Sequence, residues 1–387
     1  MDATDLADRV ETARSRAGER QVHDARTASI LGVLLGVSFG ICLLTGVWSH
    51  LQQHPPDWLQ LPVGPTGLYR FTQGLHVICG LASVPLLLAK LYSVSPQLLR
   101  RPSWTDRVDL MERVAVLPLV GGSLFLLVSG AANIARWYPW RFFFPVGHFW
   151  AAWLVLGATM IHVALKAPTV RRTLGRAHRS LEGAEPATVP GEMTRRALLW
   201  TVAGTAGLLT VLTAGQTIPF LRRATLLAPR RPDIGPQGIP VNRTAHAAGT
   251  TELAGPDYRL TVVDRDGREH GFSIEDLREL PQRTEALAIA CVEGWSAMAT
   301  WTGVPVAEVL AEAGVRPGAV TVVSGQQSGG YSSSELSERA IADPRCLLAL
   351  DLEGEPLVED HGAPVRLIAP NRPGVAQTKW VTRLEIS

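Results

Sequence analysis

Cys291 ends an apolar run in the segment LAIACVEGWSAMATWTGVP, residues 287–305. A thiolate is a soft metal ligand, and a thiol can also act as a nucleophile or as a redox group. Zinc and iron–sulfur sites need further cysteines at short spacings, and Cys42, Cys79 and Cys346 stand far from Cys291 in the sequence. Three roles therefore stay open for Cys291: a nucleophile, a redox thiol, or one ligand of a metal that a cofactor otherwise holds.

Histidines in and beside apolar runs are the second group of candidates, because an ionisable side chain inside a membrane span is costly and usually functional. His148 and His162 lie 14 residues apart in one run. On a helix they therefore point the same way and stand about 21 Å apart along its axis. That spacing suits two stacked haems, one near each membrane surface. His76 lies at the depth of His148, with His50 as a rival outer ligand, and His23 could reach inward to His162.

The elements that must position these residues begin with five apolar runs, each near the roughly 20 residues that cross the hydrocarbon core of a membrane. The runs lie at 28–49, 72–93, 114–132, 147–166 and 197–219. Charged residues make up only 19% of the chain, against about 25% in soluble domains. The first part of the chain is therefore predicted to be a membrane bundle.

The distribution of arginine predicts the topology of this bundle. The loops that follow the second and the fourth runs are rich in Arg, and such loops stay in the cytoplasm. The N-terminus is then cytoplasmic, and five spans place everything after about residue 220 outside, in a multi-pass protein of the cell membrane. The pair Arg195-Arg196 stands before the fifth run. It is either a pair of positive charges that flank this span on the cytoplasmic side, or a twin-arginine export signal.

Five parts are predicted along the chain. They are a cytoplasmic lead at 1–27, a four-helix membrane domain at 28–170, a cytoplasmic linker at 171–195, a fifth transmembrane helix at 196–220 and an extracytoplasmic domain at 221–387.

The extracytoplasmic part alternates apolar and polar residues as strands do. YRLTVVDRDGREHGFS predicts a hairpin around Asp266-Gly267. IEDLRELP and PVAEVLAEAGV predict short helices, and GAVTVVSG, CLLALDLEG and PVRLIAP predict strands. A mixed α+β domain with its own core is therefore expected here.

The membrane part resembles the dihaem cytochrome b subunits of formate dehydrogenases and hydrogenases over roughly residues 20–170. The shared features are a His before the first helix, Thr45-Gly46 later in it, a His early in the second helix and two spaced on the fourth. The resemblance implies one or two b-type haems, with a quinone or quinol, or another membrane electron carrier, as partner in the membrane lipid. The haem ligands that it implies are His76, His148, His162 and His23.

Two segments of the tail resemble the sulfite oxidase-like molybdopterin enzymes, most closely the catalytic subunit of the periplasmic protein-methionine-sulfoxide reductases. CVEGWSAMATWTGVPVAEVL, which begins at Cys291, matches the segment of that family that carries the metal-ligating cysteine. HGAPVRLIAPNRPGVAQTKWVTRLEI, residues 361–386, has the family's Gly-x-Pro-x-Arg, then Pro, then Lys-Trp layout. The resemblance covers essentially all of residues 240–387 and implies a Mo-molybdopterin cofactor.

Site residues follow from this resemblance. Cys291 would ligate molybdenum as the catalytic group, and Arg366 would pair with the pterin phosphate, a task suited to a planar guanidinium. His361, where the sulfoxide reductases have Asn, would hydrogen-bond the pterin. The further cofactor contacts that the resemblance implies are Asn242, Ala245, His246, Ser324, Gln377, Thr378 and Lys379.

The predicted architecture is a five-helix transmembrane bundle, with a haem-binding four-helix core plus an anchor helix, followed by a mixed α+β sulfite oxidase-like molybdopterin domain. The resemblances imply a membrane-bound oxidoreductase that passes electrons between b-type haem and a molybdenum centre. That centre would transfer an oxygen atom on a small substrate, as in a sulfoxide reductase or a sulfite oxidase; no nucleic acid is expected as a partner. The alternatives are an electron-transfer cytochrome whose tail is a cofactor-free binding module, and a thiol-based reductase that uses Cys291 and Cys346.

Overall fold

The computed structural model describes residues 22–56, 58–100, 107–175, 193–228, 230, 234–316 and 318–386. Most of the predicted lead and most of the predicted cytoplasmic linker therefore lie outside the described residues.

Two compact units make up the fold. Unit 1 comprises Met1–Leu44 and His76–Thr213, and unit 2 comprises Thr45–Leu75 and Ala214–Ser387. The segment Thr45–Leu75, which lies within the membrane domain expected at 28–170, thus belongs to the same unit as the C-terminal part of the chain.

Five long helices, α1 to α5, come first along the chain. Their bounds are Ala25–Gln53, Leu68–Leu98, Arg107–Ile134, Phe144–Leu174 and Arg195–Ala214. All five are long and apolar enough to cross a membrane. The prediction of five apolar helices ahead of a mixed α/β domain is therefore confirmed.

Helix α5 ends at Ala214, before the expected end at residue 220. Ile218 precedes a proline, whose ring disfavours helical backbone at the residue before it. Ile218 is accordingly extended, with φ −106° and ψ 115°. Two short 3-10 turns take the place of the last helical turn that the apolar run predicted.

Unit 2 contains two five-stranded sheets. In the described residues the strands β1 to β10 are Leu260–Val263, Glu269–Phe272, Arg283–Ala290, Ser296–Pro305, Val320–Ser324, Ser333–Leu336, Leu347–Leu352, Glu355–Pro356, Arg366–Ile368 and Val381–Ile386. The short helices α6 to α9 are Ala245–Ala248, Ile274–Glu279, Val306–Glu312 and Glu338–Ile341. One sheet has the order β2-β1-β10-β5-β6; the other has the order β3-β4-β7-β8, with β9 also paired to β7.

The predicted hairpin is β1–β2, an antiparallel pair. Gly267 takes the positive φ of +78° that the turn requires. The Asp264 carboxylate accepts the amides of Asp266 and Arg268 at 2.9 Å each and closes the turn. The prediction from Asp266-Gly267 is confirmed.

Strands β3 and β4 form the hairpin that carries Cys291. They pair over their whole length, from Arg283 opposite Gly303 to Ala290 opposite Ser296. Cys291 is the first residue after β3, and its amide donates to the Trp295 carbonyl at 2.9 Å. The buried strand expected before Cys291 is β3, and Cys291 is the first residue of the five-residue loop that joins β3 to β4.

Gly303 is the position in this hairpin where a side chain has no room. The β4–β7 register shifts between Thr302 and Gly303, and a Cβ on Gly303 would stand 2.1 Å from the Leu348 carbonyl oxygen. Gly303→Ala is expected to lower the free energy of unfolding by roughly 1–3 kcal/mol, because backbone must move to admit the methyl group. Denaturant unfolding of the purified chain measures this. Gly271→Ala in β2 is the matched control, since no heavy atom lies within 4 Å of its Cβ position, and an equal loss there would contradict the argument.

Candidate functional site

A cavity in unit 2 opens beside the end of β3. Cys291, which is 2% exposed, lines it together with residues from the loop before α6, from β9 and from the segment before β10. The lining residues are Pro240, Asn242, Ile289, Cys291, Trp295, Arg366, Gly374 and Lys379. Asn242, Arg366 and Lys379, which the sequence suggested as cofactor contacts, are therefore brought together with Cys291.

The Cys291 thiol lies in an environment that opposes its ionisation. Burial, followed by the nearby Glu293 carboxylate, raises the pKa of the thiol to about 12. A bare Cys291 is therefore protonated at neutral pH and is a poor nucleophile, whereas a bound metal would stabilise the thiolate. Cys346 is a free thiol as well, fully buried in the apolar core between the two sheets.

Two cations face this cavity. Arg366 is 4% exposed; its Nη1 donates to the His361 carbonyl at 3.0 Å, and its guanidinium lies 5.2 Å from the Trp301 ring centre. Burial lowers the pKa of Arg366 to about 9. Lys379 donates to the carbonyls of Arg243 at 3.0 Å and Asp360 at 2.6 Å, and burial, then Arg366, lowers its pKa well below the usual range. Two adjacent buried cations held by neutral groups favour an anionic ligand.

His361 is 1% exposed, and its carbonyl accepts the hydrogen bond from Arg366. Its Nε2 is 2.7 Å from the Pro236 carbonyl, which can only accept, so Nε2 carries the hydrogen. Nδ1 is then an acceptor, and within the described residues it is buried without a hydrogen-bond partner. Burial lowers the pKa of His361 to about 4, so the ring is neutral at physiological pH.

The lowered pKa of His361 predicts a specific pH dependence of stability. Between about pH 6.5 and 4 the unfolded chain binds a proton at this residue that the folded chain does not, so the folded state loses stability as pH falls through that window. We expect His361→Asn to remove on the order of 2–3 kcal/mol of that loss at pH 4. Urea unfolding of cofactor-free protein across this range measures the difference. His246→Asn, at an exposed position of α6, should leave the slope unchanged; a similar flattening there would contradict the assignment.

Ser324, Gln377 and Thr378 are buried around the backbone that leads to Lys379. Ser324 Oγ donates to the Lys379 carbonyl at 2.8 Å, and Thr378 Oγ1 lies 2.7 Å from Ser334 Oγ. Gln377 Nε2 donates to the carbonyls of Ala288 and Arg372, at 3.4 and 3.3 Å. Its Oε1 is buried without a hydrogen-bond partner in the described residues. These contacts hold the backbone at Lys379 in place, and Gln377 Oε1 can accept a hydrogen bond from a ligand.

Ala245 and His246 are placed differently. The Ala245 amide donates to the Asp360 carboxylate at 2.8 Å, at the start of α6. His246 lies on the exposed side of the same short helix. Neither residue lines the cavity around Cys291.

Arg230 and Glu293 both act electrostatically on the Cys291 thiol, and of the two only Glu293 stands in a segment that the motifs indicated. Arg230 Nε lies 2.8 Å from Glu293 Oε2 in an ion pair with both side chains largely buried, and the same oxygen accepts from Trp295 Nε1 at 3.0 Å. Burial and the Cys291 charge raise the pKa of Tyr331 to about 12. Tyr331 was detectable only as the one large side chain in the stretch SGQQSGGYSSSE.

The histidines of unit 1 form a separate candidate site. The ring centroids of His76 and His148 are 6.3 Å apart. His76 Nδ1 lies 3.0 Å from the Cys42 carbonyl, and His148 Nδ1 lies 3.1 Å from Ser129 Oγ. Each ring thus uses Nδ1 for a protein contact, which orients the ring.

The other suggested haem ligands lie elsewhere. His23 Nδ1 is 3.1 Å from the Ser93 carbonyl of α2, still within unit 1, and His162 lies further along α4 than His148. His50, the rival outer ligand, belongs to unit 2, where its ring centroid is 5.1 Å from that of His54.

Comparison with known proteins gives a family model for the C-terminal part of the chain and relatives that match about a third of the chain. Residues 247–387 match the family model for the oxidoreductase molybdopterin binding domain. A protein of Azospira oryzae that carries the name protein-methionine-sulfoxide reductase subunit YedZ1 is 28% identical over 136 residues, 35% of this chain and 51% of that protein. The mitochondrial sulfite oxidase of Drosophila melanogaster is 28% identical over 158 residues, 34% of this chain and 27% of the enzyme.

The protein-methionine-sulfoxide reductase catalytic subunit MsrP of Xanthomonas campestris is 32% identical over 152 residues, 36% of this chain and 47% of that subunit. The chain thus spans about half or less of the length of these relatives. Its C-terminal part is a molybdopterin-binding oxidoreductase domain related to sulfite oxidase and to methionine sulfoxide reductase. The resemblance of the tail to these enzymes is confirmed; that of the helices to cytochrome b stays a prediction.

Proposed function

Starting from this molybdopterin-binding domain, we propose that the chain is a membrane-bound oxidoreductase that exchanges electrons between a b-type haem and a molybdenum centre. The centre would act by oxygen-atom transfer on a small molecule such as a sulfoxide or sulfite. The observation that carries the proposal is the cavity itself, in which Cys291 stands beside two buried cations, Arg366 and Lys379, that neutral groups hold.

The described residues fit a phosphate-bearing pterin with molybdenum. The metal–pterin group supplies two-electron oxygen-transfer chemistry when bound. Cys291 would give the protein ligand to molybdenum, and Arg366 and Lys379 would pair with the phosphate. The buried acceptors His361 Nδ1 and Gln377 Oε1, which have no hydrogen-bond partner in the described residues, would receive the amino and amide hydrogens of the pterin. Asn242 would contact the cofactor from the same cavity.

The pair His76–His148 fits an iron between two imidazoles. The ring centroids of His76 and His148 lie 6.3 Å apart, so the two imidazoles are close enough together to serve one metal ion. His76 and His148 would hold an outer haem, and His162 with His23 would hold an inner one.

The arginine-rich loops would stay in the cytoplasm, which would place the N-terminus in the cytoplasm and the molybdenum domain outside. The electron partner would be a quinone or quinol in the lipid. A pterin loaded in the cytoplasm would require export of a folded domain, which favours the twin-arginine role for Arg195-Arg196.

The absorbance of the haem tests the proposal and the direction of electron flow together. Sulfite added to the oxidised, detergent-purified chain should reduce the haem if the chain is an oxidase. Methionine sulfoxide added to the reduced chain should oxidise the haem if it is a reductase. Either response must disappear in Cys291→Ser. A molybdenum-containing chain whose haem responds to neither compound would contradict oxygen transfer on these two substrate types.

A further inference from the structure

The Cys291 loop, residues 291–295, is closed by two backbone hydrogen bonds of its own. The Cys291 amide donates to the Trp295 carbonyl at 2.9 Å, and the Gly294 amide donates to the Cys291 carbonyl at 3.1 Å. Gly294 has a φ of +87°, which a glycine adopts without steric cost. Both bonds join residues of the loop to each other, so they shape the turn and do not fasten it to the other walls of the cavity.

Glu293 is the residue of this loop whose side chain reaches a distant segment. Its Oε2 accepts from Trp295 Nε1 at 3.0 Å and lies 2.8 Å from Arg230 Nε. The two side chains of this ion pair are only 10% and 13% exposed, so water and salt screen it little. The pair therefore holds the Glu293 carboxylate, and through it the Trp295 ring that lines the cavity.

Arg230 also contacts a second wall of the cavity. Its Nη2 donates to the Asn242 carbonyl at 3.1 Å, and Asn242 lines the cavity together with Cys291. A planar guanidinium holds two acceptors at fixed relative positions, which a flexible ammonium does not do as well. Arg230 thus joins the loop that carries the thiol to the segment before α6.

Two further side chains hold the same loop and the residue after it. Gln216, which is 1% exposed, donates from Nε2 to the Gly294 carbonyl at 3.1 Å. Arg70 Nε donates to Ser296 Oγ at 3.0 Å, at the first residue of β4. These two donors and the arginine of the ion pair all lie outside the part of the chain that matches the family model.

We propose that Arg230 is a positioning residue of the molybdenum site, which holds the Cys291 loop against the Asn242 wall so that the thiol meets the metal at a fixed place. The inference rests on the function proposed for Cys291. Arg230 does not itself line the cavity, so it acts through Glu293 and Asn242 and not by contact with substrate. A residue outside the molybdopterin-binding domain then determines how fast bound substrate is converted, since a misplacement of about 1 Å can cost roughly a hundredfold in rate.

The test compares Arg230→Met with Arg278→Met in the full-length, detergent-purified chain. Arg278 is the matched control, because its Nη2 also lies 2.8 Å from a carboxylate oxygen, that of Asp351, and it does not line the cavity. Hydrogen exchange of residues 291–296 is measured first, since it needs neither cofactor nor turnover. The kcat and KM for sulfite or methionine sulfoxide, with haem absorbance as the readout, are measured second.

Arg230→Met is expected to speed the exchange of 291–296 at least about tenfold, because the loop then opens locally. It should also lower kcat about ten- to hundredfold at unchanged KM and molybdenum content. Arg278→Met should leave both the exchange and kcat at their wild-type values. Arg230→Met removes the partner of a buried carboxylate, so Arg230→Met combined with Glu293→Gln is the second variant if the first does not fold. It should show the same fast exchange and low kcat.

Three results would overturn the proposal. They are exchange of 291–296 as slow in the Arg230 variants as in Arg278→Met, faster exchange with unchanged kcat, and a higher KM with unchanged kcat. A wild-type chain without molybdenum would instead be a failure of the proposed function. The exchange comparison would then still decide whether Arg230 holds the Cys291 loop.

Discussion

Cys291→Ser is expected to abolish turnover, with kcat at least about a hundredfold lower than in the wild-type chain. The serine hydroxyl is a harder and more weakly acidic ligand than a thiol, so it is a poor substitute for the thiolate on molybdenum. The phosphate-bearing part of the cofactor should remain bound, because Arg366 and Lys379 are unchanged. Pterin content and the visible absorption of the metal–thiolate bond distinguish loss of the ligand from loss of the whole cofactor.

Cys346→Ala is the matched control for that experiment. Cys346 is fully buried in the apolar core, so the change should cost some stability and leave turnover at the wild-type level. A thiol-based reductase would need both cysteines. Equal inactivation by the two substitutions would therefore contradict a metal-ligating role for Cys291 alone.

His148→Ala is expected to remove the outer haem. Its loss leaves His76 as the only imidazole of the pair, and a haem held from one side binds far more weakly. The haem absorbance per chain should fall by about half if two haems are bound and almost completely if one is bound. Molybdenum content should stay unchanged, while the haem response to sulfite or methionine sulfoxide is lost.

His50→Ala separates this assignment from its rival. His50 lies against His54 in unit 2, whereas the ring centroids of His76 and His148 lie 6.3 Å apart in unit 1. The His50 variant should keep its haem absorbance. Haem loss in His50→Ala together with retention in His148→Ala would show that the pairing of His76 with His148 is wrong.

The parts of the site that the sequence predicted are those encoded by local patterns. The apolar run and the cysteine that ends it are contiguous, so the sequence predicted strand β3 with Cys291 at its end, whereas the pairing of β3 with β4 was not predicted. The segment around Arg366 and Lys379 was predicted in the same way. The ring centroids of His76 and His148 lie 6.3 Å apart, and their shared depth in the membrane stays a prediction.

The parts that were missed depend on contacts between distant residues. The ion pair of Arg230 with Glu293 joins residues without any shared motif, and the bond from Tyr331 to Gln53 joins residues 278 positions apart. Ala245 and His246 were suggested by position alone. In the fold, the Ala245 amide donates to the Asp360 carboxylate, and His246 lies on the exposed face of α6.

The most direct test of the central claim is the content of molybdenum and pterin in the detergent-purified chain, made in cells that synthesise the cofactor. About one molybdenum atom and one pterin per chain, with iron between about one and two, is the predicted result. Iron without molybdenum or pterin would contradict the claim that the cavity of Cys291, Arg366 and Lys379 is a molybdopterin site, and would leave a membrane haem protein whose C-terminal domain has a different role.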